Sequence, residues 1–248
     1  MRIAYTNLID SITSTSMTAL TTAAGYPIAN VQDPRLTKVW TSDATTTQTV
    51  IVDLGSAQAI SVLAIVGHNI ASTATCVANG NATDVWTAPS VTQSITWNSG
   101  IMLAFISPQT YQYWRFSFTG LTQAVSIGRL WLGGYSDIDP SSTQEFSVEL
   151  KTDDTVVYGR RRQKYASPGA TWRKINLRFP PNSVTSLSVI ENIYRTVGKH
   201  QSFIFCNFND LRTYPLVDPL YGSFGEDLAF THQRNQRYDF SLSIEEDK

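Results

Sequence analysis

The chain has 248 residues and a formal net charge of −1, with 19 Lys and Arg against 20 Asp and Glu. Apolar residues make up 42%, enough for one large or two ordinary cores, while charged residues are only 16%, below the usual level of about 25%. These values exclude strong nonspecific nucleic-acid binding through bulk charge. Cys76 and Cys206 lie far apart and form neither a disulfide framework nor a metal spacing, so two free thiols in a reducing compartment are expected. The first ten residues contain no apolar signal region, and the run Ala59 to Gly67 is about half a membrane span. A soluble protein made in the cytoplasm, without a cleaved signal, is expected.

From the N-terminus, "YPIANVQDPRLTKVWTS" (Tyr26 to Ser42) is neither helix nor strand in pattern, because Pro27 and Pro34 hold their predecessors extended. Yet it carries Ile28, Val31, Leu36, Val39 and Trp40. "TVIVDLG" (Thr49 to Gly55) and "AISVLAIVG" (Ala59 to Gly67) read as two central strands separated by a Gly-Ser turn. "VTQSITWN" (Val91 to Asn98), "MLAFIS" (Met102 to Ser107), "YQYWRFSF" (Tyr111 to Phe118) and "SIGRLWLGG" (Ser126 to Gly134) read as further strands. "ASTATCVANGNATD" between them reads as a polar linker. Seven or eight short strands without a helix predict a sandwich or barrel.

The Pro/Ser/Asp-rich stretch Tyr135 to Gln144 predicts a boundary, giving domains 1–138 and 139–248. Only Arg2, Arg35, Lys38, Arg115 and Arg129 precede it, so most of the basic residues follow. There "EFSVEL", "TVVYG", "ATWRKINLRF", "SFIFCNF" and "YDFSLSIEE" read as strands. "NSVTSLSVIENIYRTVGKH" reads as one helix, opened by Asn182 or Ser183 and closed near Gly198, with Val184, Leu187, Ile190, Tyr194 and Val197 as its apolar stripe. The second domain is therefore expected to be α+β, and the chain as a whole mainly β.

The order of marks in the first half resembles the discoidin-like family of galactose-binding folds. They are Asn30, Asp33, Trp40, then Asp53-Leu54-Gly55, then Tyr113, Arg115, Gly128 and Leu130. The resemblance spans roughly residues 20 to 135 and implies a jelly-roll sandwich whose open end is plugged by the Pro-rich loop. Trp40 and Asp33 then have structural roles. The family often holds calcium in that loop through an Asp-Gly turn. Here Asp33 precedes Pro34, so no metal and no cofactor are expected. Members often bind sugars at one end of the sandwich. That implies Trp86 and Trp97 as aromatic platforms and His68, Asn69 and Asn81 as hydrogen-bonding partners, although each also suits a core or interface role.

The whole chain also resembles long-tailed phage virion proteins that open with a loop-"DLG"-"GHN" segment and end with a strand like Tyr238 to Glu246. The second half resembles the tail-tube fold. This implies an oligomeric ring, trimeric or hexameric, at the tail tip, touching tail-tube and other tip proteins, within a virion assembled in the host cytoplasm. "YGRRRQKY" is the one dense basic run; Arg160, Arg161, Arg162 and Lys164 suit a salt-bridged protein interface or a solvated hairpin face. A DNA-conducting lining is disfavoured, because cations would hold the phosphates. His68, His200 and His232 make no metal spacing, and neither a nucleophile elbow nor a P-loop occurs. No membrane or specific nucleic-acid partner is expected, and no enzyme. The alternatives are a host-surface glycan-binding adhesion protein and an accessory domain of a polysaccharide-degrading enzyme.

Overall fold

β-Branched and aromatic residues in period two put most of the chain into strands. The computed structural model describes residues 1–138, 145–158, 160–182, 184–206, 219–232 and 238–247. The first eight strands are β1 (Arg2–Asn7), β2 (Met17–Ala19), β3 (Trp40–Thr41), β4 (Gln48–His68), β5 (Thr75–Asn81), β6 (Val91–Ile95), β7 (Ile101–Thr119) and β8 (Ser126–Asp137). Apart from Asp137 at the end of β8, they belong to one compact unit, residues 2–136. The other unit, Met1 with 137–248, holds β9 (Glu145–Thr152), β10 (Thr155–Tyr158), β11 (Lys164–Ser167), β12 (Thr171–Asn182), helix α1 (Val184–Val197), β13 (Phe203–Cys206), β14 (Leu220–Phe224), β15 (Ala229–His232) and β16 (Tyr238–Glu246).

In the first unit β4 and β7 are each far longer than the expected strands. "TVIVDLG" and "AISVLAIVG" are one 21-residue strand, and "MLAFIS" and "YQYWRFSF" one of 19 residues. The reason is that both halves of β4 pair with the same partner, so no chain reversal occurs between them. Gln48–Asp53 pairs with Tyr113–Phe118, and Val62–Val66 pairs with Ile101–Phe105. At the joint the register slips between Asp53 and Gln58, and Gly55 takes a left-handed φ of +73°. A bulge, not a turn, occupies the Gly-Ser position. Each long strand therefore serves two sheets. One half of β4 lies between β2 and β7, with β5 and β6 beyond; the other lies between β7 and β8, with β1 and β3 on β8. One core gathers inward residues of both halves, among them Val50, Val52, Leu63 and Ile65 of β4 and Met102, Trp114, Phe116 and Phe118 of β7. This is a β-sandwich.

The stretch expected as a polar linker contains β5. Its inward residues are small, and each sits beside a large one in register: Cys76 by Phe118, Ala78 by Phe116, Gly80 by Trp114. A Cβ on Gly80 would stand 2.8 Å from Val91 Cγ1. The size complement makes a strand of residues with little apolar pattern of their own. Cys76 is buried there, and burial pushes its thiol pKa up to about 12.

The Pro-rich loop closes the sandwich as expected. A short 3-10 turn spans Ile28–Gln32, and Val31 and Trp40 are fully buried. Each such burial contributes roughly 1.5–3 kcal/mol. Asn30 Nδ2 donates to Val39 O at 2.8 Å. Asp33 accepts from Arg35 N at 3.0 Å and pairs with Arg35 and Lys38, which hold its carboxyl well below the usual range. Buried Arg129 of β8 joins this loop to the N-terminal segment: it donates to Gln32 O at 2.7 Å and pairs with Asp10.

In the second unit the sheet order is β13-β14-β16-β12-β9, with β15 on β16. Ile175, Leu177 and Phe179 of β12 and Phe240, Leu242 and Ile244 of β16 are buried, and the Phe179 and Phe240 rings stack at 4.3 Å. Helix α1 buries Ile190, Ile193 and Val197, and its Tyr194 ring lies 5.3 Å from Phe224 of β14. Ile193, absent from the expected stripe, replaces Tyr194 as the fully buried residue. Gly198, at φ +54°, ends the helix. The expected helix cap at Ser183 and most of the boundary segment, 139–144, lie outside the described residues. β10 and β11 form a separate two-stranded ribbon, Thr155 opposite Ser167 through Tyr158 opposite Lys164.

Gly128 gives a direct test of the loop's fit. A Cβ there would stand 2.9 Å from Leu36 O, a backbone atom that cannot swing aside. Gly128→Ala is expected to cost about 1–3 kcal/mol in urea unfolding. Gly100→Ala, whose Cβ would meet nothing closer than 3.9 Å, is expected to change stability little.

Candidate functional site

The five residues picked for sugar recognition divide into two groups at opposite ends of the β5–β6 hairpin. Trp97 follows the end of β6 at Ile95, which pairs with Cys76; Trp86 and Asn81 belong to the other end, where Gly80 pairs with Val91. About five residues of strand, roughly 16 Å, separate them.

The first group holds three loops together. His68 Nδ1 accepts from Ile70 N at 3.1 Å, which puts the ring proton on Nε2, and Nε2 donates to Asn98 O at 2.9 Å. Burial holds the His68 pKa below its ordinary 6.5, and the bond to Asn98 only partly opposes this. Asn69 is spent on the loop before β8: Nδ2 donates to Ala124 O and Oδ1 accepts from Ser126 N, at 2.9 and 2.8 Å. Gln123 Nε2 returns a bond to Asn69 O at 2.7 Å. Trp97 Nε1 donates to Ile70 O at 2.8 Å, while 38% of the residue stays exposed. The indole edge is engaged and part of the ring is open to solvent.

The second group packs on the outer face of the sheet. Trp86 lies over Arg115 of β7, with the guanidinium carbon 4.7 Å from the ring centroid. Its Nε1 donates to Asp84 Oδ1 at 2.6 Å. Arg115 Nη2 donates to Asn79 Oδ1 at 3.2 Å. Asn81 folds the hairpin loop, donating to Val85 O and accepting from Ala82 N and Ser90 Oγ. The Trp86–Arg115 stack went unread in the sequence; the usable signal was Arg115 on the outward face of an otherwise aromatic strand. A stack of this kind contributes ~0.5–1 kcal/mol at an exposed site.

Arg160, Arg161, Arg162 and Lys164 all lie at the tip of the β10–β11 ribbon, and all are exposed. Arg162 adopts a left-handed φ of 58° in the turn. Along the ribbon Val157, Tyr158 and Tyr165 are 56%, 67% and 61% exposed. Val157 and Tyr165 face each other on one side; Tyr158 and Lys164 share the other. Both sides are therefore uncovered. At the base Gly169 N donates to Asp154 Oδ1 at 2.6 Å, which lowers that carboxyl's pKa. Asp154 is thus spent on the turn. Among the described residues no three His, Cys, Asp or Glu side chains gather as a metal site.

The first unit is thus a β-sandwich whose polar loop residues brace one another. No family model matches the sequence, and no curated protein matches it. Solved structures of similar outline cover about half of the chain. Chitosan-binding module 1 from a chitosanase/glucanase of Paenibacillus sp. IK-5 is 21% identical, with a TM-score of 0.42 over 52% of this chain and all of its own. The lectin domain of lectinolysin, complexed with Lewis B antigen, is 12% identical, with a TM-score of 0.44 over 51% of this chain and 95% of its own. The family 32 carbohydrate-binding module of C. perfringens NanJ, in complex with galactose, is 19% identical, with a TM-score of 0.41 over 55% of this chain and all of its own. At these values no ligand is carried over.

His68 gives a pH test. A ring whose folded pKa lies below its unfolded value contributes stability above the unfolded value, about 6.5, and loses it as pH falls through that value toward the folded one. Unfolding free energy measured at pH 7.5 and 5.5 is expected to fall toward acid. The fall is expected to be smaller in His68→Gln, which keeps a polar group without the titration.

Proposed function

We propose that this chain works through contact surfaces rather than chemistry, as a structural component of a long-tailed phage tail tip. In this reading it assembles into a ring of three or six copies and joins tube and tip proteins in the virion. The exposed ribbon β10–β11 carries the proposal. A two-stranded ribbon alone is marginally stable in water, and bare strand edges invite pairing. Burial against a neighbouring subunit would cover Val157, Tyr158 and Tyr165, and a closed ring would leave no unpaired edge. The arginine tip would meet carboxylates on that neighbour.

A second reading, attachment to a host-surface glycan, is favoured by the part-exposed Trp97 ring at the loop end of the sandwich. A sugar face can stack on that surface while the indole N–H keeps its bond to Ile70. In this reading Trp86 acts through Arg115 as a brace.

Light scattering coupled to size exclusion tests the first reading. The chain is expected to run as a trimer or hexamer. Replacing Arg160, Arg161 and Arg162 together by Glu is expected to give monomers with unchanged circular dichroism. A chain that is monomeric at all accessible concentrations overturns it. On a glycan array, signal lost on Trp97→Ala and kept on Trp86→Ala supports the second reading.

A further inference from the structure

The β10–β11 ribbon prolongs the β9–β12 hairpin. Thr152 of β9 lies opposite Thr171 of β12, and after a short irregular step Thr155 of β10 lies opposite Ser167 of β11. In that step Asp153 and Asp154 face the three residues Pro168 to Ala170, as in a bulge. Asp153 N donates to Ala170 O at 3.3 Å, so main-chain pairing carries through it. β10 has β11 on one side only, and among the described residues its other edge is unpaired. All four residues of β10 are exposed, and the strand carries neither the proline nor the charge that usually guards an edge.

The sequence around β10 is complementary to itself in reverse. It reads "DDTVVYGRR", Asp153 to Arg161, with two carboxylates before the strand and two guanidiniums after it. Val157 is the midpoint: Asp154 and Arg160 stand three residues from it on either side, Asp153 and Arg161 four. Two copies laid antiparallel about a two-fold axis through Val157 therefore set Asp154 against Arg160 and Asp153 against Arg161, at both ends of the contact. Alternation fixes this register. A two-fold axis between antiparallel strands stands perpendicular to the sheet, so each residue meets one of its own face and the axis passes through a residue. Moved to Val156, the axis leaves neither acid opposite an arginine; moved to Tyr158, it leaves only Asp154 opposite Arg162. Centred on Val157, it also lays Val156 of each copy against Tyr158 of the other, side chains now 42% and 67% exposed.

The charged groups are free to take part. Arg160 and Arg161 make no hydrogen bond or ion pair among the described residues, unlike Arg35, Arg129, Arg173 and Arg195, each held by a carboxylate. The Asp153 carboxylate likewise makes none among the described residues. Asp154 gives Oδ1 to Gly169 N and is exposed, and a carboxylate accepts several bonds.

We propose that β10 is a self-pairing strand: two copies join β10 to β10, antiparallel about Val157, in a sheet of order β11-β10-β10-β11 closed by carboxylate–guanidinium pairs at both ends. This rests on the reading of the ribbon as a contact between subunits, and it narrows that reading. The occupant of the free edge is the same strand of a second copy, and the contact is two-fold. A ring built with it holds an even number of copies, six rather than three, and is closed by a different surface.

Val157→Cys in the full chain tests the register, since Cys76 and Cys206 are buried. On the axis, residue 157 and its copy stand about 4.5–5.5 Å apart at Cα, within the disulfide reach of about 4.4–6.8 Å. Mild oxidation is expected to link most of the chain into dimers. Thr155→Cys, also exposed, lies about 13 Å from its copy and is expected to link little. Charge reversal tests the pairs. A variant with Asp153→Lys and Asp154→Lys and a variant with Arg160→Asp and Arg161→Asp each repel themselves. Each is expected to weaken association at least about tenfold in light scattering. In equal mixture they restore opposite charges at both ends and are expected to associate as the native chain does. Linking at 155 as strong as at 157, or a mixture no better than its components, overturns the inference, and the link at 157 decides if a charge variant fails to fold. A trimer or hexamer that does not link at 157 overturns the self-pairing and leaves the ring. A linked dimer that never grows keeps the self-pairing and overturns the ring, and an unlinked monomer overturns both.

Discussion

The first unit depends on the unbroken pairing of β4 with β7. Because both strands pass together from one sheet to the other, the two layers are joined by continuous main chain and cannot drift apart independently. The bend between Asp53 and Gln58 is the cost of that continuity, and Gly55 absorbs it. Everything else in the sandwich hangs on this pair. β5 and β6 extend it on one side, β8 on the other, and the Pro-rich loop fills the open end with Trp40.

Local pattern made much of this readable. Trp40 and Val31 announced their burial because a loop gains nothing from exposing them. The alternation in Tyr111 to Phe118 sets Trp114, Phe116 and Phe118 on one face, and that face is the buried one. Pattern failed where the deciding fact was a partner. A glycine followed by serine looks the same in a bulge and in a turn, and only the shared partner β7 tells them apart. β5 was invisible because Cys76, Ala78 and Gly80 are inward for their smallness, which has meaning only beside Trp114, Phe116 and Phe118. The ribbon strand "TVVY" was legible from β-branching, but its isolation was not.

The candidate sugar residues show the same limit. His68, Asn69 and Asn81 have the right chemistry for a ligand, but each bonds to loop backbone. Short polar side chains near turns serve their own main chain first. Residue type alone could not separate that use from recognition, nor place Trp86 and Trp97 at opposite ends of a hairpin. The exposed apolar side chains of the sandwich include Trp97, and in the second unit both sides of the ribbon are uncovered.

Three adjacent arginines in an exposed turn also make the ribbon tip the natural point of attack for a trypsin-like protease, since loop tips are where nicking concentrates. Seated against a neighbour, the same turn would be shielded. In the proposed ring, protection of this turn would report assembly: an intact band would mark seated copies, and a cut near residue 161 would mark free ones.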